Sequence, residues 1–133
     1  MTSPLPPPRS RLALILWLVA LHSACVGVGL LVLPGAAFEQ FGYSPLSERF
    51  FAAQGGVFHL IMSAIYALAG ARVDRYEILI LVSIGAKCAA TVFLFAYFFF
   101  FSAIWMVLLS GIGDALMGVL ILAAWMAYRK VRA

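Results

Sequence analysis

Ser83-Ile84-Gly85-Ala86-Lys87-Cys88-Ala89-Ala90-Thr91 places a single lysine ten residues into an apolar segment that runs from Glu77 to Phe98. A helix over that segment is long enough to cross a hydrocarbon core of roughly 30 Å and sets the ammonium near its middle. Insertion scales assign roughly +2.5 to +3.5 kcal/mol to a central Lys or Asp and roughly −0.3 to −0.6 to each Leu, Ile, Phe or Val. The flanking aliphatic and phenylalanine residues therefore offset one such charge with little surplus. An ionisable residue at that depth is first read as part of a functional site.

The rest of the chain agrees with a membrane reading. Hydrophobic residues make up 65% of the 133 and charged residues 11%, with a mean hydropathy of +1.08, too little polar surface to cover a soluble fold. The net charge of +4 could suggest nucleic acid, but the basic residues sit at the chain ends and in one loop, and no basic stripe marks a soluble face. They read as topology signals, and no nucleic-acid partner is expected. Cys25 and Cys88 lie inside hydrophobic segments without metal-ligand spacing, and the plainer reading is two small buried apolar residues.

The first ten residues contain Pro4, Pro6, Pro7 and Pro8 and predict an extended tail outside any helix. Arg9 and Arg11 precede an apolar run to Leu33. His22 spoils the faint lipoprotein box at 21–25, and the run continues past Cys25, so a first span over about 11–33 is favoured over a signal peptide. Pro34-Gly35 ends it. In the following loop Phe38, Phe41 and Tyr43 alternate with Glu39 and Gln40, as for a short interfacial helix or turn. Further spans are expected over about 49–70, entered through a Ser47-Glu48 cap, 77–98 and 103–128, with a basic tail over 129–133.

Basic residues fall at the N-terminus, between spans two and three, and at the C-terminus. The positive-inside rule then puts both termini in the cytoplasm of a bacterial inner membrane. Tyr97 to Phe101 with Trp105 would form one aromatic belt, and Trp125 with Tyr128 the other. Short connections make the expected fold class all-α, an up-and-down four-helix transmembrane bundle forming one domain over 11–128.

Counting from the span ends, His22, His59, Lys87 and Asp114 each lie ten or eleven residues deep, at about 15 Å. Each span brings one ionisable group to this level. Gly55, His59 and Ser63 share a helix face, as do Ser83, Lys87 and Thr91, and Ser110, Asp114 and Gly118. Lipid solvates none of these groups, so the faces are expected to turn inward. Lys87 and Asp114 are the natural ion pair, either fixing the register of the last two helices or forming a proton or ligand site that opens and closes. Gln54, Ser63, Ser83, Thr91 and Ser110 are the supporting polar residues. Glu48 and Arg49 are expected as a solvated or headgroup pair at the outer mouth.

Two histidines at equal depth on adjacent antiparallel helices could ligate a b-type haem. A haem needs a large apolar slot, however, and this level also holds an ion pair. A neutral histidine pair bonded to Asp114, Ser63 or each other is therefore favoured. Zinc on His22, His59 and Asp114 is possible by ligand type but lacks a close-spaced motif, so no metal and no cofactor is expected. No nucleotide loop, nucleophile elbow or kinase segment is present, and no catalytic residue is assigned.

The pattern resembles the small four-span bacterial membrane proteins grouped as DoxX-like. The resemblance rests on Leu33-Pro34-Gly35, on Phe41-Gly42, on Arg49-Phe50-Phe51 leading into Gly55-Gly56, and on Gly111-Ile112-Gly113-Asp114. It covers about Leu12 to Ala127. It implies the four-span fold and, for some members, association with quinone-linked redox complexes. The leading functional expectation is a polar midplane site that binds or moves a small ligand or proton. A haem- or quinone-associated redox subunit and a structural accessory subunit are the alternatives. A transporting chain of this size would be expected to form a homo-oligomer or to join a larger membrane complex.

Overall fold

The computed structural model describes residues 7–45 and 48–132. Among these, the chain forms α1 (Pro8–Val32), a short α2 (Gly35–Gln40), α3 (Phe50–Ala71), α4 (Glu77–Phe100) and α5 (Trp105–Arg132). The four long helices are each long and apolar enough to cross a membrane. Helix α1 packs against α3 and α5, α3 against α4, and α4 against α5, so sequence neighbours are spatial neighbours and the ring closes. The broadest contacts are α1 with α3 and α4 with α5; α3 with α4 is the thinnest.

Several helix ends differ from the sequence expectation for local reasons. Helix α1 already begins at Pro8, because proline at the first position gives up an N–H that needs no helical partner. The rest of the expected tail, residues 1–6, lies outside the described residues, as does Ser47 of the expected cap. Arg49 holds the N-cap position of α3 without a side-chain capping bond. Helix α5 continues through the basic tail to Arg132, where Arg129, Lys130 and Arg132 complement the negative end of the helix dipole.

The α1/α3 seam shows why these two helices approach so closely. A Cβ on Gly27 would meet the Gly56 carbonyl oxygen at 2.9 Å, and one on Gly56 would meet that of Gly27 at 2.8 Å. Backbones therefore touch there, as small residues permit in membrane interfaces. One turn further, the Ser23 hydroxyl donates to the His59 carbonyl at 3.0 Å, and the Ser63 hydroxyl donates to the Ala20 carbonyl at 2.7 Å. Interhelical bonds of this kind contribute on average about 0.6 kcal/mol each in a membrane.

The buried apolar cluster lies in one half of the bundle. Leu12, Leu16, Val19 and Ala20 of α1 form a dry cluster with Tyr66 and Ala69 of α3, Val73, Ile80 of α4, and Ile121 and Tyr128 of α5. All belong to the half nearer the chain termini. The other half, toward α2, contains a cavity.

The termini end is closed by a polar latch. The Arg9 guanidinium meets Asp74 at 2.8 Å, the Tyr128 hydroxyl donates to Asp74 at 2.6 Å, and Arg132 donates to the Tyr128 oxygen at 3.1 Å. Tyr128 is thus buried and hydrogen-bonded, rather than standing in the aromatic belt expected of it. The Tyr128 hydrogen bond, helped by Arg9, holds the Asp74 carboxyl below its ordinary value of 3.8. A depressed carboxyl stabilises the fold above its unfolded value and loses that contribution as pH falls through the folded one. Carbon-detected titration of Asp74 should therefore give a midpoint below 3.8, with the latch intact from there up to the ionisation of the Tyr128 phenol that donates to it, and Tyr128→Phe should move the midpoint upward.

Candidate functional site

At mid-depth, Lys87 and Asp114 are 3% and 8% exposed, and the Lys87 Nζ donates to Asp114 Oδ1 at 2.5 Å. Helices α4 and α5 can approach at this level because Gly118 sits beneath the lysine, where an added Cβ would lie 3.2 Å from Lys87 Cβ. The ammonium also stands 5.6 Å from the centroid of the buried Tyr66 ring of α3, which provides a weakly attractive face in place of water. None of the hydrogen bonds among the described residues reaches Asp114 Oδ2.

Above the pair lies a cavity of about 460 Å³. Its floor is Asp114, His59 and Ser110; Cys25, Val26, Gly29 and Leu30 form the α1 wall, and Leu94 and Met106 face them. Phe38, Phe41 and Tyr43 of the α2 segment line its upper part. That roof is positioned by Gly42, whose φ of +90° makes the turn and whose missing Cβ leaves room for the Trp105 ring, 3.0 Å from where it would stand. Burial pushes the Tyr43 phenol up, so it remains a neutral hydroxyl. A second groove of about 250 Å³ lies between α4 and α5, lined by Lys87, Cys88, Thr91, Asp114 and neighbouring aliphatic residues. Asp114 borders both spaces, whereas Lys87 borders only the second.

The remaining expected residues take different places. His22 is exposed and makes none of the expected bonds to Asp114, Ser63 or His59. It lies on the α1 stripe that continues through Cys25, Val26 and Gly29, one turn below the cavity wall. The His59 ring meets Ser23 through Nδ1 at 3.2 Å, a partner the sequence reading did not select. Ser63 spends its hydroxyl on the α1/α3 seam. Ser83 and Thr91 do not support the pair, since their hydroxyls donate to the carbonyls of Leu79 and Lys87 four residues back. Gln54 is exposed on the outside of α3.

Arg49 also departs from its expected pairing with Glu48. Its guanidinium donates to the Leu31 carbonyl at 3.2 Å and reaches that of Leu30 at 3.5 Å, satisfying the unpaired oxygens at the end of α1. Cys25 and Cys88 are free and exposed, not buried. Each borders one of the two spaces. Among the described residues no group of three His, Cys, Asp or Glu side chains is placed to hold a metal ion.

No family model, curated protein or solved structure matches this chain. Ser23, Tyr66 and Cys25 are the site residues that sequence reasoning missed. A signal for Ser23 was present in the small-residue series Ala20, Ser23 and Gly27 at helical spacing. Tyr66 has an analogous position two turns from His59 on α3.

Proposed function

We propose that the chain is a small integral protein of the bacterial inner membrane, with both termini in the cytoplasm, that binds a small, largely apolar molecule inside its bundle. Arg9, Arg11, Arg72, Arg75, Arg129, Lys130 and Arg132 gather at the termini end, against Glu39, Glu48 and Arg49 at the other, which supports this orientation. The observation that carries the binding reading is the cavity of about 460 Å³ with apolar walls and a floor of Asp114, His59 and Ser110. Mostly apolar lining with a few convergent polar groups is the usual form of a small-molecule site. The cavity runs from Asp114 and His59 to the Phe38, Phe41 and Tyr43 segment, which in this orientation is the outer side of the pair, so the ligand enters from outside the cell or from the outer leaflet.

A haem-binding reading has less support, because His59 is the single histidine of the cavity wall and its Nδ1 is tied to Ser23. The ligand reading is tested by filling the cavity from a residue whose side chain is already exposed. Ser110→Trp should leave the protein folded in lipid nanodiscs and reduce the small molecules retained through purification, measured by mass spectrometry of the extract, by roughly tenfold. Identical extracts from the two proteins would overturn it.

A further inference from the structure

The floor of the cavity has a sign. Asp114 borders the cavity and the lysine's hydrogen bond goes to its Oδ1, whereas Lys87 lines only the groove on the α4/α5 side. A molecule descending into the cavity therefore meets a carboxylate before it meets the ammonium. The walls it passes carry the Phe38, Phe41 and Tyr43 rings, whose faces attract cations. Ser110 and His59 can accept as well as donate hydrogen bonds. An anionic ligand would find the carboxylate first and the lysine shielded.

Resting on the ligand-binding reading above, we propose that the occupant is a lipophilic organic cation, and that its binding expels a proton from Lys87. The second part follows from charge balance. At mid-depth the ammonium and carboxylate cancel, and an added fixed positive charge would leave the low-dielectric site with an uncompensated charge. Balance is restored when the Asp114 carboxylate turns to the incoming cation and the Lys87 ammonium becomes a neutral amine, its proton leaving to water. One cation enters and one proton departs, and no redox partner is involved. The other titratable groups around the pair are Tyr66 on α3, whose ring faces Lys87, and His59 on α3, which lines the cavity with Asp114, with His22 on α1 near the same level. None of the three can supply a compensating negative charge as readily as Lys87 can give up a positive one.

Phenyltrimethylammonium is a suitable probe because its charge does not vary with pH, and tert-butylbenzene has the same shape without the charge. Both are tested on the full chain in nanodiscs with Cys88→Ser, so that maleimide modification of Cys25 reports occupancy of the cavity. Calorimetry in two buffers of different ionisation enthalpy counts protons. The expected result is that the cation protects Cys25 at lower concentration than the neutral isostere does, binds about tenfold more tightly for each unit of rising pH, and releases a single proton. Asp114→Asn, and the double variant Lys87→Met/Asp114→Asn as the better-folded control, should lose cation protection while keeping that by tert-butylbenzene.

Protection by tert-butylbenzene alone in the unsubstituted pair would overturn the cation assignment and leave the cavity reading standing. Protection by neither would overturn both. Cation binding without proton release would overturn the exchange, and cation binding undiminished by Asp114→Asn would overturn the role of the carboxylate.

Discussion

Lys87→Met, with Asp114 left in place, should lower the unfolding free energy in detergent or lipid by about 3–5 kcal/mol, because it strands a carboxylate in the bundle interior. Asp114→Asn should have a comparable effect by stranding the lysine. The two side chains are 4% and 12% exposed, so little water reaches either charge. The double variant Lys87→Met/Asp114→Asn should recover most of that stability, since desolvation of two charges offsets much of what the pair gains by attraction. Reversible unfolding of the four proteins checks this as a double-mutant cycle, and additive single effects would show that the two groups do not act together. The same four proteins separate structure from function: a double variant that is stable yet inert would assign the pair to ligand chemistry, whereas one that is stable and active would assign it to assembly.

The second large effect is expected at the α1/α3 seam. Gly56→Val should destabilise the bundle by about 1–3 kcal/mol or more, because the new Cβ would stand 2.8 Å from the Gly27 carbonyl oxygen and 2.9 Å from Leu31 Cγ. A leucine end can swing away, but a helix backbone can yield only by moving the whole helix. Separation would also lengthen the Ser23 and Ser63 bonds, which lie along the same seam. Gly113→Ala is the matching control, since an added Cβ there meets nothing within 4 Å and alanine is the better helix former. Thermal unfolding that ranks Gly56→Val level with Gly113→Ala would contradict the close crossing.

These two sites also show how far the sequence can be read. Four spans are legible because bilayer thickness imposes a length and a hydropathy that Leu, Ile, Phe and Val satisfy in each segment. The meeting of Lys87 and Asp114 is legible because opposite charges at one depth in lipid have few other partners. Depth, however, follows from counting residues, while direction depends on rotation about each helix axis, which turns about 100° per residue. Hence counting gives His22 a depth but no facing: it lies on an exposed stripe, and its neighbour Ser23 is buried and bonded to α3 instead. Arg49 was paired by adjacency with Glu48, although a guanidinium near a helix end can satisfy several carbonyls at once. Asp74 and Tyr128 are 54 residues apart, and nothing local in either segment announces their bond.

The division of the bundle into two broad helix pairs bears on how the chain is made. The lysine and its counter-ion belong to the same pair, α4 with α5, and are 27 residues apart. Emerging alone from the translocon, α4 would carry an unneutralised ammonium into lipid at roughly +2.5 to +3.5 kcal/mol. Once α5 follows, the two arms can enter together as a nearly neutral hairpin. The apolar residues of α4 offset that cost with little to spare, so its release into lipid alone is only marginally favourable, and synthesis of α5 should make the insertion of both firm.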